Sequence, residues 1–455
     1  MHTAVAGPDP AIRPAATRVD FAPEASSLAV AVVLALSMTT VVIANLDDRP
    51  GTDYQLHTLL LGSDMALLAL VAVAAGGLRS AVAAWRRHAC ALGALVVGLA
   101  MVPAFVVHPS DRGVAALLRW VGAVALALGL GAARRDGRRL IIAALAAVTV
   151  AHVVVALAER AGNAPVGLGA LGEPSAYSIG GRYASTGLGV HPYVLAAWCA
   201  VVGTALLAVG RRRDGGGGLA TVAGVVAFVG IGLTMSRAGV LAGLLGLGAL
   251  LVASRGAGHR RGWRPVAVAA LALGLGIMVN LSGWASRADQ VGGGVDAISS
   301  GRGALLGQAW GLLHRSPLSG VGPGRYVIAL SQRPTLVALS DQSPRPVHVT
   351  PLLLVVEGGL LVVPALLLLA VAIGRACWRG RAPAVAVTLA MLPFLALDHL
   401  AWSYPQGIVL TGVWLGTLDL LASRGRPTPA DQPIATPSSA RPPETAPPVT
   451  SPGST

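Results

Sequence analysis

A few ionisable residues stand where apolar runs meet polar loops. Arg237 lies in LTMSRAGVL, Arg302 in SSGRGALLGQAW and Arg325 after the glycine turn of GVGPGRY, while His348 opens HVTPLLLVVEGG and Asp398 with His399 opens DHLAWSYPQG. Guanidinium groups at a membrane–water boundary hold phosphate or diphosphate through paired, charge-assisted hydrogen bonds. A histidine beside them takes or gives a proton near neutral pH. The set suits transfer of a group from a lipid-linked diphosphate. No spacing for a metal, a nucleotide or a dinucleotide is present, so the reading calls for no cofactor and no metal. Each residue also has a plainer reading: Arg237 as a headgroup-facing arginine, Arg302 as a helix cap or a partner of Asp296, His348 as an interfacial histidine, and Asp398–His399 as a structural pair.

The elements that must position these residues are membrane helices. The chain has 455 residues, of which 54% are hydrophobic and only 12% charged, and its mean hydropathy is +0.68. That is too little charge to cover a soluble protein of this size. Apolar runs long enough to cross a bilayer fall at 27–45, 56–76, 89–107, 114–133, 140–158, 192–210, 219–234, 238–254, 265–281, 350–374, 383–400 and 407–422. The expectation is an all-α, polytopic protein of about twelve spans.

All 34 basic residues are arginine and the formal charge is +14. The arginines alternate with the spans. Clusters such as Arg134/Arg135/Arg138/Arg139, Arg211–Arg213 and Arg375/Arg379/Arg381 follow the even-numbered spans, while the five short loops on the other side hold only Arg49, Arg112, Arg160 with Arg182, and Arg237. The positive-inside rule then puts both termini in the cytoplasm and the candidate residues outside. Basic loops arising this way also make nucleic acid the weaker account of the charge. Cys90, Cys199 and Cys377 lie in or beside apolar segments and read as buried thiols.

Two outer loops are larger than the rest, at about 160–191 and 282–347; inside the second, residues 302–314 carry an apolar stripe that predicts a short surface helix. Residues 1–26 read as a cytoplasmic segment, 27–422 as the transmembrane domain, and 423–455, rich in Pro, Ser and Thr, as a disordered cytoplasmic tail. Glu357 falls within the expected tenth span, where an acid normally faces a cavity or a partner. Asp64 and Arg119, within the second and fourth spans, suit one another as a structural pair.

Four stretches together resemble the O-antigen ligase and O-antigen polymerase-like membrane proteins: GRYASTGLGVHPYVLA, LTMSRAGVLAGLLGLGALL, SGRGALLGQAWGLLHRSPLSGVGPGRY and HVTPLLLVVEGGLL, with DHLAWSYPQG as a further element. Their order and their placement around one large outer loop carry the likeness, which covers about the second half of the chain. The resemblance implies a metal-independent, inverting, C-type membrane glycosyltransferase. Such a protein moves a glycan from a polyprenyl diphosphate to an acceptor hydroxyl on a glycan, lipid or protein at the outer face of the cytoplasmic membrane. It places activity on Arg237 and His348, with Arg302 in support. Arg325, Arg182 and His191 join as substrate-binding candidates, and Asp398 with His399 as an alternative base. The chain departs from the family where Val349 follows the histidine in place of Asn, where Val362 replaces a glycine, and where the outer-loop motif reads His191-Pro192-Tyr193 instead of His-Pro-Asn. The rival class is a lipid-linked oligosaccharide flippase or other transporter, with Asp64, Arg119, Glu357 and Asp398 lining a path. A third reading is a scaffold that keeps the motifs without the activity.

Overall fold

A computed structural model describes residues 23–37, 42–45, 59–61, 64, 71 and 87–423, apart from 134, 175–176, 180, 211–216, 257–262, 290–301 and 339–343. Most of the expected second span, nearly all of the N-terminal segment and nearly all of the tail lie outside the described residues.

The protein is all-α and polytopic. After α1 (Pro23–Ser37), the short strands β1 (Val42–Asn45) and β2 (Leu59–Leu61) pair antiparallel. The expected first span, 27–45, is therefore helical at 27–37 and extended at Val42–Asn45, with 38–41 outside the described residues. Val42 and Ile43 are β-branched and accept extended backbone readily, so the apolar run continues where the helix does not. The bundle then runs through α2 (Ala89–Ala100), α3 (Val102–Val107), α4 (Asp111–Ala132), α5 (Arg135–Gly162), α6 (Pro192–Gly210), α7 (Gly217–Leu233), α8 (Arg237–Gly256) and α9 (Arg264–Val279). The large loop holds α10 (Leu281–Asp289), α11 (Arg302–Arg315), α12 (Tyr326–Ser331) and α13 (Pro334–Val337), and the chain finishes with α14 (Thr350–Gly358), α15 (Val363–Leu397), α16 (Leu400–Ser403) and α17 (Pro405–Ser423). A small hairpin, β3 (Ser178–Ile179) with β4 (Arg182–Tyr183), lies in the loop between α5 and α6.

Seven helices among the described residues are long and apolar enough to cross a membrane, or eight when α9 and α10, bent by 75°, count as one. The longest of these, Leu360–Leu397, is two spans. Arg381 inside it has φ 53° and ψ −148°, and Cys377 Sγ lies 3.2 Å from Thr388 Oγ1. Eleven residues of straight helix would separate those atoms by about 16 Å, so the chain doubles back between them. Helix α7 is short, and its 17 residues reach about 25 Å, still within the range of a span.

The expected tenth span is corrected at its start. Apolarity is continuous from Thr350, but the helix stops at Gly358 and Gly359 takes φ 73°, ψ −178°, a region open in practice only to glycine. A Cβ there would lie 2.0 Å from the Leu318 carbonyl oxygen. The last carbonyls of α14 find partners in the glycine turn of the large loop: Val321 N donates to Val356 O (3.0 Å) and Gly322 N to Glu357 O (2.9 Å). A helix end inside a protein needs such partners. Glu357 therefore sits in a short helix ahead of the span.

Close backbone approach holds the spans together, as is usual where lipid gives no hydrophobic drive between helices. A Cβ on Gly232 of α7 would lie 2.4 Å from the backbone of Ile277 in α9, and one on Gly276 would lie 2.3 Å from Val229 O. Arg119 and Asp64 pair as expected, at 2.7 and 2.8 Å. Cys90 and Cys199 are buried, and all three cysteines are free.

Candidate active site

The end of the bundle opposite the arginine-rich loops carries an Asp-His corner. Helix α15 ends at Leu397, and Asp398 is extended (φ −151°, ψ 170°). Its Oδ1 accepts from His399 N (2.6 Å) and Leu400 N (3.0 Å). The carboxylate thereby caps α16 as a side-chain oxygen caps any helix start. Two further bonds pin the corner: Arg302 Nη2 donates to Leu397 O at 3.1 Å, and Thr350 Oγ1 donates to Asp398 O at 2.9 Å. Arg302 thus sits on the terminal carbonyl of α15, where the helix dipole favours a cation.

This corner brings His399 against His348, with ring centroids 4.9 Å apart at 81°. Tyr404 stacks on the other face of the cluster, 5.5 Å from His399 at 15°, and lies 6.1 Å from His191. His191, just ahead of α6, packs edge-on against Tyr177 at 4.6 Å and 4.7 Å from Tyr193. Arg287 of α10 reaches the same group, its Nη2 donating to Tyr193 Oη at 2.9 Å.

Burial sets the protonation of the cluster. It pushes the His399 imidazole down to about 4. His348 is also pushed to about 4, by burial and then by His399, with Asp398 pulling the other way. His191 is pushed to about 3, by burial, then His399, His348 and Arg287. All three are neutral at neutral pH and keep a lone pair. Burial raises the Asp398 carboxyl above its ordinary value, opposed by His348 and the two backbone N–H bonds. Nδ1 of His348, Nδ1 of His399, Nε of Arg302 and Nε of Arg287 are all buried without a hydrogen-bond partner among the described residues.

The TMSR turn explains the place of Arg237. Thr234 Oγ1 bonds back to Ile231 O (2.8 Å) at the end of α7, Met235 is buried in a left-handed conformation (φ 53°), and Ser236 Oγ accepts from Gly239 N (3.0 Å) at the start of α8. Arg237 is left as the exposed first residue of that helix. Gly239 lies against Ala196 of α6, and Gly246 against Thr204 of α6 and Ala390 of α15. Helix α8 is thus parallel to α6, and its start faces the same end of the bundle as His191 and Asp398.

Arg325 and Arg182 stand elsewhere at that end. Arg325 is half-buried beside Gly322, which also packs on His108; Arg182 is exposed on β4, paired with Ile179 of β3. Glu357 accepts from Gly324 N (2.7 Å), Tyr326 N (3.1 Å) and Trp402 Nε1 (2.6 Å), fastening the glycine turn and α16 to α14. Tyr177, Tyr193, Tyr404 and Arg287 are cluster members that sequence reasoning missed. The signal was there: the chain has only 6 tyrosines, and Tyr193 and Tyr404 follow His191 and His399 closely. Among the described residues no group of His, Cys, Asp and Glu has the arrangement to hold a metal ion.

No curated protein matches the chain. Residues 222–368 match the family model described as O-antigen ligase; this stretch runs from α7 into α15, includes Arg237, Arg302, Arg325 and His348, and makes that part of the chain similar to the O-antigen ligase family.

Proposed function

We propose that the protein transfers a glycan from a polyprenyl diphosphate to an acceptor hydroxyl at the outer face of the cytoplasmic membrane, as a ligase or polymerase of cell-envelope polysaccharide. The observation that carries this reading is the cluster of three neutral imidazoles beside Asp398 and Arg302, at the bundle end where Arg237 is exposed. The alternating arginines of the loops put that end outside and both termini in the cytoplasm.

The acceptor oxygen attacks the anomeric carbon as the bond from that carbon to the diphosphate oxygen breaks, with inversion at carbon. The diphosphate leaves with the bonding electrons. His348, neutral and with Nδ1 unpaired, takes the acceptor proton. Asp398, behind it, favours the imidazolium that forms. Arg237 at the first turn of α8 and Arg302 beside His348 face the charge growing on the leaving group, where fixed donors and cations contribute most. A cation at a helix start opposes the dipole, so Arg237 gains from an anion beside it. Arg325 and Arg182 contact the rest of the substrate, His191 positions the tyrosines around it, and Asp398 with His399 is the alternative base. The transfer as drawn uses side chains alone.

The test is transfer in membrane vesicles carrying a lipid-linked donor. Arg237→Ala and His348→Ala should insert normally and lose transfer; full activity in both removes the mechanism.

A further inference from the structure

We propose that Tyr177, Tyr193 and Arg287 form a donor-only subsite for an anionic oxygen, phosphoryl or carboxylate, of the substrate. The proposal rests on the transfer reading above and adds a binding site to it.

The case is one of hydrogen bookkeeping. Tyr193 N donates to His191 Nδ1 at 3.1 Å, so that nitrogen holds a lone pair and carries no proton. A neutral imidazole then has its one proton on Nε2. His191 Nε2 lies 2.5 Å from Tyr177 Oη, and a protonated Nε2 donates, so the Tyr177 oxygen accepts. If Tyr177 were the donor, His191 would hold no proton at either nitrogen, which no histidine does here. The phenol proton of Tyr177 must therefore point to a third group. Among the described residues none takes it.

Tyr193 is in the same position for a different reason. Arg287 Nη2 donates to its hydroxyl oxygen at 2.9 Å, and arginine has no acceptor to offer in return. The Tyr193 proton is left over as well, with no second partner for it among the described residues. Arg287 itself keeps a buried Nε–H with no partner among the described residues. The two hydroxyls and the guanidinium lie within electrostatic reach of one another, and Tyr177 also feels Asp398. Three protons without acceptors, gathered around one histidine, call for an acceptor-only group. A sugar hydroxyl both donates and accepts and fits this less well than an oxyanion. Burial, the leading influence on Tyr177, pushes its phenol up to about 12, so the hydroxyl stays a donor throughout the working pH range. His191 is in this account a positioning residue, with both of its nitrogens already engaged.

Two sources can supply the anion: the diphosphate of the donor, or an acidic sugar of the glycan. Binding of undecaprenyl diphosphate and of methyl β-D-glucuronide to the full chain in nanodiscs separates them. Tyr177→Phe and Tyr193→Phe each delete one proton and little volume, and a hydrogen bond to a charged group is worth about tenfold or more in affinity. Weakening of undecaprenyl diphosphate by at least about tenfold in both variants assigns the subsite to the diphosphate. Equal weakening of the glucuronide alone assigns it to an acidic sugar. Unchanged binding of both probes in both variants overturns the proposal. Arg287→Ala should follow the phenylalanine variants, whereas loss of folding in Arg287→Ala beside unchanged binding in Tyr193→Phe marks that arginine as structural and also overturns it. His348→Ala, assayed for transfer in parallel, tests the base independently; transfer retained there removes the base and leaves the binding result to stand by itself.

Discussion

Two sets of buried polar groups share one end of this protein, and they differ in whether their hydrogen-bonding capacity is used up. Glu159 and Glu357 belong to the first set. Glu159 accepts from Thr186 N (2.9 Å), Gly187 N (3.0 Å) and Thr186 Oγ1 (3.0 Å), holding the loop that leads to His191. Glu357 does the same for the glycine turn and for Trp402. Each carboxylate is saturated by donors from backbone that would otherwise be orphaned, the condition for burying it at all. In the second set, His348, His399, Arg302 and Arg287 hold buried ring or guanidinium nitrogens that have no hydrogen-bond partner among the described residues. An unpaired buried donor or acceptor is costly, and a protein keeps it where a ligand completes it. We read the saturated set as scaffold and propose the unsaturated set as site.

Four substitutions or titrations test that division. The largest effect is expected in the unsaturated set: His348→Ala should lower transfer by about 100-fold to 10,000-fold, the usual range for a general base, while thermal unfolding in detergent barely moves. In the saturated set, Glu357→Ala leaves three donors buried without an acceptor and should lower stability by on the order of 3 kcal/mol, read by the same unfolding assay. Should Glu357→Ala stop transfer with unfolding unchanged, the carboxylate belongs to the chemistry and the division fails.

The third is a pH effect. His399 titrates near 6.5 unfolded and near 4 folded, so between those values the unfolded chain binds more protons and stability falls as pH falls. Above about 6.5 its contribution is fully present. His399→Phe should flatten that part of the unfolding profile. The same depression puts the acid limb of transfer near 4 instead of 6.5, measured on vesicles across that range. The smallest effect is expected for Thr350→Val, which deletes one bond to Asp398 O and should cost about 1 kcal/mol with a modest fall in transfer.

Much of this scaffold was legible as sequence because apolarity and arginine placement report directly on bilayer geometry. The spans from 89 onward fall at or close to their expected positions, and the surface helix, expected at 302–314, is Arg302–Arg315. The break at Gly359 was not legible. LLLVVEGGLLVV is one hydropathy plateau, and the left-handed φ that divides it is forced by a contact with Leu318, some forty residues earlier in the chain. Glu357 was consequently placed inside a span, when it is tied to a loop. Of the site, the histidines and arginines stood out by type. Tyr177, Tyr193, Tyr404 and Arg287 did not, because they come together from separate loops and helices, and Arg287 reaches the group only where α10 turns 75° away from α9 at Asn280. That turn is held by Asn280 Nδ2 on Leu233 O and Trp284 Nε1 on Gly232 O, bonds that link residues about fifty positions apart.

Two bonds to one carboxylate span most of the described chain. Asp419, near the end of α17, accepts from Cys90 N and Ala91 N, each at 3.0 Å, at the start of α2. Those amides cannot turn to lipid for a partner, so a helix made early in synthesis stays uncapped until the final span arrives. Assembly of this protein closes from its two ends, and a chain cut short before residue 419 would carry every catalytic candidate yet leave the bundle without its clasp.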